Sequence, residues 1–190
     1  MLKTLKANGE NVQVAYCKEF GAWLVTSKNV GLLARTRDDI AKYDSGGRYR
    51  FAVEMATVWF DKLESMPQTE QEQLKEVCNE RTLVGEYIGS NEHQHLVKYS
   101  RVTIIFYAVV DNYGEDSCWP CAKAWALFKR FNLDVVHIQS LGVFTSYEKT
   151  CDALEKVFRD VAASPIASDE EGNVLYFVKR DASDPENLHA

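Results

Sequence analysis

Short apolar, strand-like runs alternate irregularly with helical ones along this chain, and that order restricts it to a mixed architecture. Val12–Cys17, Trp23–Ser27 and Val30–Arg35 read as strands, followed by a polar stretch through Gly46 and Gly47. Ala52, Met55, Ala56, Trp59, Phe60 and Leu63 then recur at helical spacing, and this Met and aromatic stripe reads as core packing. Beyond Pro67, Thr69–Glu80 reads as a polar helix anchored by Leu74 and Val77. Further strands are expected over Leu83–Ile88, Val102–Val110, Val135–Gln139 and Asn173–Lys179, with helices over Ala122–Phe131 and Tyr147–Ala162. The sequence predicts an α+β domain of mostly antiparallel sheets flanked by helices. Residues 1–180 are read as one domain, and Asp181–Ala190 as a loosely ordered tail.

With 190 residues, 46% of them hydrophobic and 12% aromatic, the chain has ample material for one core. No run approaches transmembrane length, and Met1-Leu2-Lys3-Thr4 leads into polar sequence, so a soluble intracellular protein is expected, cytoplasmic and nuclear being indistinguishable. Five cysteines, an odd number, argue for reduced thiols over a disulfide framework. The formal charge of −6 argues against a generic nucleic-acid coat. Charge is unevenly spread, however. Residues 1–50 carry nine Lys and Arg against five Asp and Glu, and Lys28, Arg35, Arg37, Arg48 and Arg50 all lie in this positive part, where a polyphosphate is welcome.

Several polar residues close or lie on strand-like runs in a fixed order. Lys28-Asn29-Val30-Gly31 competes with Lys6-Ala7-Asn8-Gly9 as a Lys-x-x-Gly element. Ala22–Thr26 places Lys28 at a strand end, whereas only five residues precede Lys6, so Lys28 is favoured. Period-two alternation puts Glu86 on one face with Val84 and Ile88, where a carboxylate is costly unless a ligand, metal or cation needs it. Phe106 and Tyr107 belong to a strand apolar on both faces, so one of them faces whatever the sheet covers; either is open as a base-stacking ring. Glu171-Gly172 precedes Val174–Phe177 and offers a carboxylate for a divalent ion.

Together these residues resemble the covalent nucleotidyltransferase superfamily, and within it the phage-type, T4-like RNA ligases. The resemblance implies ATP-dependent sealing of RNA, in which a lysine-AMP intermediate passes AMP to an RNA 5′-phosphate and a 3′-hydroxyl then displaces it. It implies a nucleotide cleft holding ATP with Mg2+ or Mn2+, Lys28 as nucleophile beside Gly31, and Arg48 or Arg50 on phosphate. Glu86 follows as the first carboxylate, Phe106 or Tyr107 as the stacking ring, and Glu171 as metal ligand with Glu86. Residues 89–99 also look like ligase sequence. The family's final pair of alternating lysines would fall past Ala190, so either the chain stops before that strand or Lys179 stands in for it.

Three rival readings remain. Cys118-Trp119-Pro120-Cys121 sits between a strand and a helix, the setting of a thioredoxin-like thiol oxidoreductase. A zinc site joining these cysteines to His93, His95 or Cys151 is weaker, since no second Cys pair has standard spacing. The other rival is a non-catalytic nucleotide- or RNA-binding domain.

Overall fold

The computed structural model describes residues 1–89, 97, 99–113, 118–163, 172–180 and 188–189. Five antiparallel strands form the main sheet, in the order β4 (Gly31–Ala34), β3 (Ala22–Thr26), β2 (Glu10–Cys17), β5 (Arg81–Ile88) and β6 (Thr103–Asp111). One face of it is apolar because the strands alternate in register. Leu32, Val25, Val14, Leu83 and Val109 pair across all five strands as one buried row.

Helix α2 (Arg50–Glu64) covers that face with the residues its spacing marked out: Ala52, Met55, Ala56, Trp59, Phe60 and Leu63 are all buried. Its centre is a run of aromatic contacts, Trp23 on Trp59 at 5.1 Å, Trp59 on Phe106 at 6.0 Å and Phe106 on Phe128 at 5.4 Å between ring centroids. Phe128 belongs to α4 (Cys121–Arg130), which therefore lies on the same side. Helix α1 (Arg37–Ile40) is a single turn, α3 (Gln68–Glu80) buries Leu74 and Cys78, and α5 (Tyr147–Ala163) buries none of its side chains. At the sheet's outer edge, the Tyr43 hydroxyl accepts from the Leu33 N–H and donates to the Leu33 carbonyl, 3.2 and 3.1 Å away, so the edge strand β4 does not offer those groups to another chain.

A second antiparallel sheet has β1 (Leu2–Leu5) at its centre, between β7 (Ile138–Ser140) and β8 (Asn173–Tyr176). The sequence reading contains no β1, and it extends β7 back to Val135. Val135 in fact makes an isolated parallel bridge to Phe106. Thr4, only 2% exposed, marks how deeply β1 is enclosed. The expected last strand stops at Tyr176; Lys179–Arg180 (β9) pair separately with Leu188–His189 (β10) from the stretch read as a loose tail.

Candidate nucleotide cleft

Where the small sheet faces β5 and β6 there is a cavity of about 260 Å³, lined by Thr4, Leu5, Lys6, Ala7, Glu86, Tyr107, Val136, Val174 and Tyr176. Mostly apolar walls with a few convergent polar groups are the usual character of a small-molecule site. A larger groove of about 730 Å³ at the β6 edge is walled by Trp59, Phe106 and Asp134, and Phe106 is the one sequence-predicted residue on it.

Lys6 directly follows β1, so a strand does hold this residue although only five residues precede it. The partners of β1 lie more than a hundred residues away, beyond any local pattern. The loop after it, Lys6 to Gly9, is fastened from three sides. The Lys6 N–H donates to the Gly172 carbonyl at 2.9 Å, at the entry to β8. The Asn8 N–H donates to the Tyr99 hydroxyl at 2.9 Å, and the Asn8 side-chain oxygen accepts from the Val97 N–H at 3.2 Å. The Gly9 N–H donates to Glu86 Oε1 at 3.1 Å. Gly9 packs so tightly on β5 that a Cβ there would collide with the Tyr87 carbonyl.

Lys28 is placed elsewhere. It is exposed in the β3–β4 turn, which the Ser27 N–H closes onto the Val30 carbonyl at 2.7 Å. Thr26 pairs with Gln13, and Asn11 with Glu86, so this turn leaves the sheet at the Glu86 end. With β2 between β3 and β5, it stands about 10 Å across from Glu86, two strand spacings. Lys28 and Gly31 are absent from the described residues lining the cavity.

Of the two candidate rings, Phe106 is 2% exposed, packed against Trp59 and Phe128, and not among the described residues lining the cavity beside Glu86. Tyr107 looks into the cleft. The register runs from Phe106 opposite Gly85 to Ala108 opposite Val84, which leaves Tyr107 as the extra residue of a β-bulge, a device that re-aims a side chain. Its hydroxyl accepts from Asn11 Nδ2 at 3.1 Å, and burial, then the Glu86 carboxylate, hold the phenol above its ordinary range. Tyr176 faces it from the other sheet, its phenol likewise held above its ordinary range, first by burial; it is hydrogen-bonded to Thr4 and packed edge-on against Trp125 at 5.4 Å.

The arginines lie apart from the cleft. Arg50 Nε pairs with Glu54 at 3.2 Å, and Glu54 also accepts the Tyr87 hydroxyl at 3.0 Å, on the face of β5 opposite Glu86. Arg48 is exposed and sits 5.8 Å from the Tyr49 ring centroid. Glu171, His93 and His95 fall outside the described residues, as does the side chain of Lys179, although Gly172 beside Glu171 touches Lys6. Among the described residues no group of three or more His, Cys, Asp or Glu could hold a metal ion. Glu86 is thus one candidate carboxylate for a divalent ion, with one oxygen already used by Gly9.

The Cys118–Cys121 pair, both thiols free, lies where β6 meets the start of α4. No turn joins the two residues, Cys118 bridges to Val110, and Pro120 is extended at φ −50°, ψ 134°. Burial pushes the Cys121 thiol up, while Cys118 is exposed. Trp119 between them is a structural plug, its Nε1 donating to Asp111 at 3.0 Å, with Lys123 and Arg81 at 3.8 and 4.9 Å from its ring centroid.

Sequence reasoning ranked Lys6 and its loop second to Lys28, named Tyr99 only as the end of a ligase-like stretch, and gave no role to Thr4 or Tyr176. The second Lys-x-x-Gly was the one signal for Lys6. No protein-family model matches the sequence, and no curated protein does. Solved structures do match. Form 2 of an archaeal ATP-dependent RNA ligase superposes with a TM-score of 0.53 at 16% identity, over 84% of this chain and 36% of the ligase. Form 1 gives 0.52 at 17% identity, over 90% and 38%. The chain spans well under half the length of these two ligases, both archaeal; neither is of the phage type that the sequence resemblance named. At such identities the likeness is one of architecture: the chain has the α+β fold of ligase nucleotidyltransferase domains.

Proposed function

We propose that this chain is the adenylating core of an ATP-dependent RNA ligase, with Lys6 as its nucleophile. The observation that carries the reading is the cleft itself, where Lys6, Glu86, Tyr107 and the strand entered through Gly172 converge between two sheets. Sequence context favoured Lys28, and the geometry favours Lys6. The Lys6 amine, deprotonated, attacks the α-phosphorus of ATP. A phosphorus–nitrogen bond forms, the bond to the β-phosphate oxygen breaks, and pyrophosphate leaves with its electron pair. The enclosed Tyr107 ring stacks on the base, and the convergent loop contacts hold the amine in line. Glu86, with Glu171 as a second carboxylate, would hold Mg2+, which would supply charge neutralisation for the leaving pyrophosphate. AMP then passes to an RNA 5′-phosphate, and a 3′-hydroxyl displaces it to seal the strand.

The test is incubation with α-labelled ATP and Mg2+, followed by denaturation. Lys6→Ala is expected to abolish the covalent label and Lys28→Ala to retain it. The opposite result returns the nucleophile to Lys28. Nucleotide binding with no label in the unmutated chain favours a non-catalytic binding domain.

A further inference from the structure

Resting on the ligase reading, and on Lys6 in particular, we propose that Tyr99 and Asn8 are positioning residues that set the attack geometry of the lysine loop. Tyr99 lies outside every regular element and far from Lys6 in sequence, yet its hydroxyl takes the Asn8 N–H at 2.9 Å, two residues past the amine-bearing residue. Asn8 reaches back in turn, its side-chain oxygen accepting the Val97 N–H at 3.2 Å. This pair of bonds ties the loop to the strand of chain that leads into β6, so the loop is held by something other than its own sheet. Lys6 to Gly172 and Gly9 to Glu86 are attachments at its two ends. Tyr99 and Asn8 fix its middle. A nucleophile must meet phosphorus within about 3–3.5 Å and in line, and a displacement of about 1 Å costs up to a hundredfold.

The experiment is single-turnover formation of lysine-AMP by the full chain across a range of pH and ATP concentrations. Tyr99→Phe is expected to lower the maximal rate about tenfold, equivalent to about 1.4 kcal/mol. Half-saturating ATP and the shape of the pH profile should stay as in the parent, because neither nucleotide contacts nor the amine's titration are altered. Asn8→Ala, which removes the second bond, should behave alike, and it serves if Tyr99→Phe fails to fold. Hydrogen exchange gives a reading independent of activity: the Asn8 amide should exchange faster in Tyr99→Phe, while the buried Val14 and Val25 amides do not change. An unchanged rate in Tyr99→Phe, or a loss matched by its unfolded fraction, overturns this inference alone. A shifted pH profile also overturns it, since that gives Tyr99 a chemical role. Absence of any adduct in the parent chain overturns the ligase reading, and this inference with it.

Discussion

Phe106 is closed in by Trp59 and Phe128, while Tyr107, its neighbour in the chain, opens onto the cleft. Composition cannot separate the two, since each is an aromatic residue on an apolar strand. The bulge separates them, and a bulge depends on how β6 registers with β5. Their substitutions should therefore fail differently. Phe106→Ala empties a packed site at the centre of the aromatic run and is expected to cost about 3–5 kcal/mol of stability, read from the denaturant midpoint. Tyr107→Ala should leave that midpoint nearer the parent's and weaken ATP binding instead, by about 1–3 kcal/mol for a lost stacking ring, read by titration. Glu86 was legible as a carboxylate that needs a partner. What it partners, the Gly9 amide, was not.

Among the elements, β1 and the loop that follows it decide the site. Gly9 and Gly31 end the two competing Lys-x-x-Gly segments, and their surroundings differ. A Cβ at Gly9 would strike the Tyr87 carbonyl, backbone that cannot move without disturbing β5, whereas one at Gly31 would meet the Thr26 methyl at 2.8 Å, a side chain. Gly9→Ala is thus expected to destabilise by about 1–3 kcal/mol and to depress lysine-AMP formation. Gly31→Ala should be milder on both counts, as melting curves and labelling will show. Helix α2 is the opposite case: the apolar stripe at Ala52, Met55, Ala56, Trp59, Phe60 and Leu63 names its buried face without help from tertiary structure, because a helix repeats within itself.

At the scale of the molecule, the main five-stranded sheet and the three-stranded sheet meet over the cleft, and Tyr107 and Tyr176 face it from opposite sides. Burial raises the pKa of both phenols, so the folded chain keeps protons that the unfolded chain releases near its ordinary value of about 10. The stability this neutral pair contributes is complete below that pH and is lost as pH rises through the raised folded values, where two phenolates would repel across the cleft. Denaturant midpoints measured from about pH 8 to 11 should fall more steeply for the parent than for the Tyr107→Phe, Tyr176→Phe double variant. The sequence by itself determined what is periodic and local: the alternating strands, the face of α2, the α+β class, and a carboxylate at Glu86 in need of company. Only the tertiary structure decided which lysine and which ring meet in the cleft. Leu2 pairs with Ser140 and with Tyr176, and contacts across such separations are set by long-range closure and register, which leave no periodic trace in the residues they join.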